Sequence, residues 1–172
     1  MKRLHIIGRK NSGKTTLVVE LVEHLTARGL KVGTIKHTHH SHELDVPGKD
    51  SFKHRAAGAA AVGILSPGMT AVFCPTDDAT GHKRYDLMAP MFADCDLVLV
   101  EGDSSSPATR VEVWRSANGG EAPYAATDTE IASVISDDAV QVAAPVLSRT
   151  PIDGLANRLL ELANRPPTAE DR

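Results

Sequence analysis

The octapeptide Gly8-Arg9-Lys10-Asn11-Ser12-Gly13-Lys14-Thr15 has the spacing G-x-x-x-x-G-K-[ST] of a phosphate-binding loop. Each residue type has a job in that chemistry. Gly8 and Gly13 admit backbone angles that a side chain forbids. The N–H groups between them can then turn inward onto anionic oxygens. Lys14 brings an ammonium to the β- and γ-phosphates, and Thr15 offers its hydroxyl to a magnesium ion. Thr16 follows as a further nucleotide contact. Such a loop needs an acid on a neighbouring strand to hold the magnesium or its water. Glu101 ends the apolar run Leu97-Val98-Leu99-Val100, and a buried, uncompensated carboxylate is costly, so it belongs at a strand mouth. Asp96, at the other end of that run, should be remote from the nucleotide.

A second group of residues is basic and rich in histidine. Lys36, His37, His39, His40, Lys49, Asp50 and Arg55 would suit a second, phosphate-bearing ligand or a partner. His37, His39, His40 and His42 also admit a metal reading, although their spacing matches no recognised zinc pattern. Base selection is weakly marked. No Asn-Lys-x-Asp motif is present. A carboxylate can still accept two N–H bonds from guanine, and Asp128 and Asp137 lie on late loops that could approach the base.

The elements around these residues are legible. Leu4-His5-Ile6-Ile7 reads as a buried strand before the loop. Thr16 to Arg28 reads as a helix, with Leu17, Val18, Leu21, Val22 and Leu25 on one face and Gly29 as its stop. Strand, loop and helix are the required context, and the helix N-terminus adds partial positive charge at the phosphates. Lys31 to Lys36 is a second strand, parallel to the first through a right-handed crossover. A long loop, His37 to Asp50, leaves the strand edge where ligands bind in open α/β sheets. Ser51 to Ala59 suits a short helix capped by Asp50 or Ser51. Two apolar runs flank Pro67-Gly68, a hairpin signal. Residues 76–84 read as a loop and Tyr85 to Ala93 as a modest helix. The continuous apolar run ending at Glu101 is a central buried strand. Arg110 to Arg115 alternates Val111 and Val113 with Arg110, Glu112 and Trp114, a period-2 strand. Asn118-Gly119-Gly120 is a turn, Ile131 to Ile135 and Val140 to Val146 are short apolar runs, and Ile152 to Ala163 is a closing amphipathic helix. The expected architecture is an α/β P-loop NTPase fold: a mostly parallel central sheet flanked by helices, with a β-hairpin. Residues 1–164 should form a single nucleotide-binding domain, and 165–172 a flexible tail.

Composition narrows the partners. The chain has 172 residues, enough for a substantial core, and 41% of them are hydrophobic, as in globular proteins. Aromatics are only 3%, which argues against stacking platforms for single-stranded nucleic acid. Cys74 and Cys95 are the only cysteines, and Met1-Lys2-Arg3 leads directly into a strand rather than a secretory segment. A cytoplasmic protein with reduced thiols is expected, and no apolar run approaches membrane-spanning length. The net charge of −3 hides an asymmetry: residues 1–60 hold 11 Lys and Arg against 5 Asp and Glu. The half bearing the loop is therefore basic, which favours a phosphorylated ligand.

Several of these pieces together resemble the molybdopterin-guanine dinucleotide biosynthesis protein B (MobB) family. They are the loop with Thr15-Thr16, Ile35-Lys36-His37-Thr38-His39-His40, Pro47-Gly48-Lys49-Asp50-Ser51, Arg55-Ala56-Ala57-Gly58-Ala59 and Leu97-Val98-Leu99-Val100-Glu101-Gly102. The order and spacing match over roughly residues 3–102, with weaker similarity from Arg110 to Asp137. The resemblance implies a GTP-binding adapter of molybdenum-cofactor biosynthesis, a homodimer with slow GTPase activity at most. It would assist the guanylyltransferase that joins molybdopterin to GMP, and contact the molybdoenzymes that receive the cofactor. GTP and Mg2+ are the implied cofactors. One departure stands out: the family commonly continues Glu-Gly-Phe-Lys, whereas this chain reads Glu101-Gly102-Asp103-Ser104-Ser105-Ser106. Two other readings use the same loop, a small-molecule kinase and a metallochaperone-type GTPase with the histidines as a metal store. The kinase would need a mobile Arg-bearing lid, for which residues 76–84, with Lys83 and Arg84, are short.

Overall fold

A computed structural model of the chain describes residues 1–38, 43–76, 81–118 and 121–164, with 81–83 described at the level of backbone. His39, His40, His42, Gly119, Gly120 and the tail 165–172 lie outside the described residues. The chain divides into two compact units, residues 1–38 with 88–172, and residues 39–87.

The first unit is built on a six-stranded parallel sheet. Its strands are β1 (Arg3–Ile7), β2 (Val32–Lys36), β5 (Leu97–Glu101), β6 (Arg110–Val113), β7 (Ile131–Ile135) and β8 (Val146–Leu147). The spatial order is β2-β5-β1-β6-β7-β8. The strand that feeds the glycine-rich loop is therefore interior, with β5 on one side and β6 on the other. Registers Ile6↔Glu101 and Lys36↔Glu101 place one cross-sheet row just below the loop. Ile7↔Glu112 continues that level on the β6 side.

Helix α1 (Lys14–Ala27) buries Leu17, Val18, Leu21 and Leu25, the apolar stripe that the spacing requires. It ends in a Schellman motif: Gly29 takes φ 86°, the Leu30 N–H bonds the Leu25 carbonyl, and the Gly29 N–H bonds that of Thr26. The closing helix α4 (Ile152–Ala163) packs Leu155, Leu159 and Leu162 into the same core as α1, β1 and β5. A second cluster, of Ile7, Ala125, Ile131 and Val134, supports the β6–β7 side.

The second unit holds α2 (Asp50–Ala56) and an antiparallel hairpin of β3 (Val62–Ser66) and β4 (Met69–Phe73), as the Pro67-Gly68 signal requires. The expected cap of α2 is corrected. Lys49 occupies the N-cap without a side-chain bond, while the Ser51 hydroxyl donates to Asp45. The helix expected over 85–93 is also shifted. Helix α3 spans Gly81–Met88, and a 3-10 turn follows over Ala89–Phe92. Pro90 explains the break, since it lacks an N–H and restricts the residue before it. Only Val146 and Leu147 of the run 140–146 and its flank pair as a strand. Val140, Val142 and Ala144 instead pack on the second cluster.

The alternation in β6 does not mark a solvent face. All four of its residues are buried, because β1 and β7 flank it and the sheet is covered. Its charged side chains are compensated instead. Arg110 donates to Asp128 and Glu130 and to the Ser104 carbonyl. Both carboxylate oxygens of Glu112 accept N–H bonds, from Tyr124 and Ala125. Burial raises the Glu112 pKa, and those two bonds act against the rise.

In the unusual stretch Asp103-Ser104-Ser105-Ser106, the first and last residues lie against a buried histidine. His5 sits mid-strand in β1, with no solvent exposure. Ser106 Oγ lies 3.3 Å from His5 Nε2, and Asp103 Oδ2 lies 4.0 Å from Nδ1. Asp103 takes φ 58°, the left-handed turn that brings it back under the strand. Burial lowers the His5 pKa from 6.5 to about 4, with Asp103 opposing and Arg3 adding to the shift. Between those pH values the unfolded chain gains a proton that the folded chain refuses. Stability therefore falls as pH drops from 6.5 toward 4, by about 3 kcal/mol in all. Urea titrations at several pH values should show this slope in the wild type and a flatter one in His5→Gln. Equal slopes in the two proteins would remove His5 as the cause.

Candidate functional site

The loop between β1 and α1 has the backbone of a phosphate cradle. Gly8, Asn11 and Gly13 take φ of 139°, 64° and 92°. Gly8 is also sterically required, since a Cβ there would lie 2.4 Å from the Val113 carbonyl oxygen of β6. Gly13 caps α1 without a side-chain bond, and no acidic residue sits in the first turn. The helix thus presents its N-terminal N–H groups and its partial positive charge to the cleft.

Lys14, at the first helical position, donates to the carbonyls of Gly8 and Arg9 and lies 3.5 Å from Ser12 Oγ. Burial lowers its pKa, Glu101 raises it, and Lys36 lowers it again. Ser12 is buried within the turn. The two outer residues of the loop are held by the segment after β6. Arg9 pairs with Glu121 at 2.7 Å, donates to the Ala122 carbonyl and lies over the Tyr124 ring. The Lys10 carbonyl accepts from the Asn118 amide. Buried Glu112 matters here because it fixes the 3-10 turn Tyr124–Ala126 on which Tyr124 stands.

Glu101 comes to the loop as its position in sequence requires. The Thr15 hydroxyl donates to Glu101 Oε1 at 2.7 Å, across 86 residues of sequence. Lys36 pairs with the same oxygen. Asp96, at the far end of β5, accepts the Lys31 N–H. A carboxylate and a hydroxyl in contact at the foot of a phosphate cradle are the hard oxygen donors that magnesium prefers. The donor set therefore fits that ion.

Lys10, Asn11, Gly13, Lys14, Thr15, Thr16, Lys36, Glu101 and Arg115 line one cleft of about 540 Å3. Lys36 thus lines the same cleft as the loop. His37 follows directly, its N–H bonded to the Glu101 carbonyl. Gly102 takes φ 94° beside it, where a Cβ would meet the His37 carbonyl oxygen at 3.0 Å. Asp128 does not line the cleft; it pairs with Arg110 at 2.6 Å and accepts the Glu130 N–H. Asp137 holds the Ser148 hydroxyl and the Arg149 N–H, which lower its pKa.

Lys49, Asp50 and Arg55 belong to the second unit. Arg55 is held by Glu43 at 2.6 Å and lies over the Phe52 ring, and Lys53 lies 3.3 Å from Asp50. Among the described residues, no three His, Cys, Asp or Glu side chains group as a metal site. Among them too, no helix is long and apolar enough to cross a membrane.

Arg115 is the cleft residue that sequence reasoning did not single out. It follows β6, and nothing in the sequence says that β6 lies beside β1. The only available signal was a cation at the C-terminal end of a strand.

Comparison with known proteins shows the family and the fold. A family model described as molybdopterin guanine dinucleotide synthesis protein B matches residues 3–137. The chain is 34% identical over 151 residues to the molybdopterin-guanine dinucleotide biosynthesis adapter protein of Escherichia coli (strain K12), covering 87% of this chain and 86% of that one. A protein of the same name from Haemophilus influenzae is 36% identical over 114 residues, 65% of this chain and 62% of its own. Among solved structures, the MobB protein homolog from Bacillus stearothermophilus superposes with a TM-score of 0.66 at 26% identity, covering 96% of this chain and all of that one (100%). A crystal structure described as molybdopterin-guanine biosynthesis protein B gives 0.68 at 26% identity, over 93% of this chain and 99% of that one.

Proposed function

The chain belongs to the molybdopterin guanine dinucleotide synthesis protein B family, and from that premise we propose that it is a GTP-binding adapter of molybdenum-cofactor biosynthesis. Its role is to assist the guanylyltransferase that makes molybdopterin guanine dinucleotide, and to meet the molybdoenzymes that receive it. The observation that carries the nucleotide half of this reading is the Thr15–Glu101 contact at the foot of the glycine-rich loop. Loop N–H groups and Lys14 would neutralise the phosphates, while Thr15 and Glu101 would hold Mg2+, which would supply further positive charge to them. We read the site as holding GTP more than hydrolysing it, because Glu101 is engaged by Thr15 and Lys36 rather than free to activate water.

Lys36, His37, His39, His40, Lys49, Asp50 and Arg55 remain the proposed contacts for molybdopterin or the partner enzyme, supported by their charge and hydrogen-bonding chemistry. A homodimer is proposed on the exposed apolar residues of the hairpin, chiefly Leu65 and Met69. The particle mass in solution tests it, and a monomer at working concentration removes it. The cytoplasm is the proposed location, in keeping with the free thiols of Cys74 and Cys95, and cell fractionation decides it.

The function is tested by adding the purified chain to the guanylyltransferase with GTP and molybdopterin. The expected result is a GTP-dependent complex and faster dinucleotide formation. A chain that neither binds the transferase nor changes its rate is not its adapter. For the metal, Glu101→Gln should weaken the dependence of GTP affinity on magnesium by about tenfold, since a neutral amide is a poor ligand for a hard cation. An unchanged magnesium titration would take Glu101 out of the metal site.

A further inference from the structure

The phosphate cleft has a second wall whose chemistry is unassigned. One wall is the end of β5 and β2, with Glu101 and Lys36. The other is the end of β6, from which Arg115 reaches over the loop. Its guanidinium carbon and Nη2 lie 3.1 Å from the point that a Cβ on Gly13 would occupy. Arg115 is exposed to solvent, and among the described residues no carboxylate pairs with it and no acceptor bonds its guanidinium. Its neighbours differ. Arg149 Nη1 approaches the same point at 3.2 Å without a hydrogen bond among the described residues, but its charge is compensated by Glu20, which its other two nitrogens bond. Arg9 is held by Glu121 and Arg110 by Asp128 and Glu130. A cation left unneutralised in a cleft already holding Lys14 raises the local positive potential, which an anionic ligand relieves.

The placement of Thr15 and Glu101 says which part of that ligand Arg115 meets. A magnesium ion held by Thr15 and Glu101 would neutralise the terminal phosphates of a nucleotide. Its proposed ligands stand on the β5 side of the loop, so the terminal phosphates point that way. A nucleotide lying across the loop then directs its α-phosphate and nucleoside toward β6. We propose that Arg115 is a ligand of the α-phosphate, setting affinity for nucleotides irrespective of the terminal phosphate. This rests on the reading that a nucleotide occupies the loop. A guanidinium suits the place, since its planar fork can take two phosphate oxygens at once.

Calorimetric titration of GTP and of GDP, at fixed magnesium and salt, tests the assignment on wild type, Arg115→Ala and Arg115→Lys. The expected result is a loss of about tenfold or more in Arg115→Ala for both nucleotides alike, with Arg115→Lys intermediate. Thermal unfolding should be unchanged, because the side chain is exposed. A loss confined to GTP would make Arg115 a γ-phosphate ligand and overturn the proposal. Wild-type affinity for both nucleotides in Arg115→Ala would overturn it too, while leaving nucleotide binding on the loop intact. No binding to the wild type would overturn the nucleotide reading itself.

Discussion

Replacing Lys14 by alanine is expected to lower GTP affinity on the order of 100-fold, with the fold retained. Charge-assisted bonds to phosphate contribute about 1.5–3 kcal/mol each, and Lys14 can make more than one in the cleft. The side chain also acts within the loop. Its bond to the Gly8 carbonyl, at 2.7 Å, helps keep the N–H groups facing inward. Burial already lowers its pKa, so the site holds the ammonium at a desolvation cost that an anion repays. Lys14 is only partly buried and lies at the first position of α1, where alanine is a good helix former. Stability should therefore change little. Calorimetry with GTP reads the affinity, and circular dichroism reads the fold. Near-wild-type affinity in Lys14→Ala would show that the nucleotide binds elsewhere.

Gly8→Ala should be the most disruptive single methyl in the loop, costing about 3 kcal/mol or more and abolishing nucleotide binding. Two independent causes add. The φ of 139° lies where an L-residue is strained, and the new Cβ would meet the Val113 carbonyl oxygen at 2.4 Å. That oxygen cannot retreat cheaply, because β6 is locked between β1 and β7. Relief would have to come from the loop itself, which would turn its N–H groups away from the phosphates. Gly154→Ala provides the contrast. Gly154 lies in the first turn of α4, with open space around its would-be Cβ. The substitution should stabilise by about 0.5 kcal/mol through helix propensity alone. Urea denaturation of the two variants reads both signs. A stable, nucleotide-binding Gly8→Ala would mean that the loop tolerates another backbone.

The elements nearest the loop were legible because they obey local rules. Period 3.6 in Leu17, Val18, Leu21 and Leu25 specified α1, and Gly29 specified its end. The helix Ile152–Ala163 appears at the bounds its leucine spacing implies. Period 2 in Arg110 to Trp114 specified strand β6, but not its surroundings: all four strand residues are buried and its charges are neutralised by residues far along the chain. The stretch 103–106 had no local meaning, because two of its residues, Asp103 and Ser106, lie against His5, about a hundred residues earlier in the chain.

The sequence by itself specified the residue pattern of a phosphate-binding loop between the first strand and helix, and placed Glu101 at a strand mouth. Both follow from residue type and local geometry: glycines where φ must be positive, a lysine and a threonine at the helix start, an acid at the end of an apolar strand. Only the tertiary structure decided which distant groups share that cleft. The strand order β2-β5-β1-β6 sets Lys36 on Glu101 and Arg115 over Gly13, and a strand order is a choice of neighbours that no local spacing encodes.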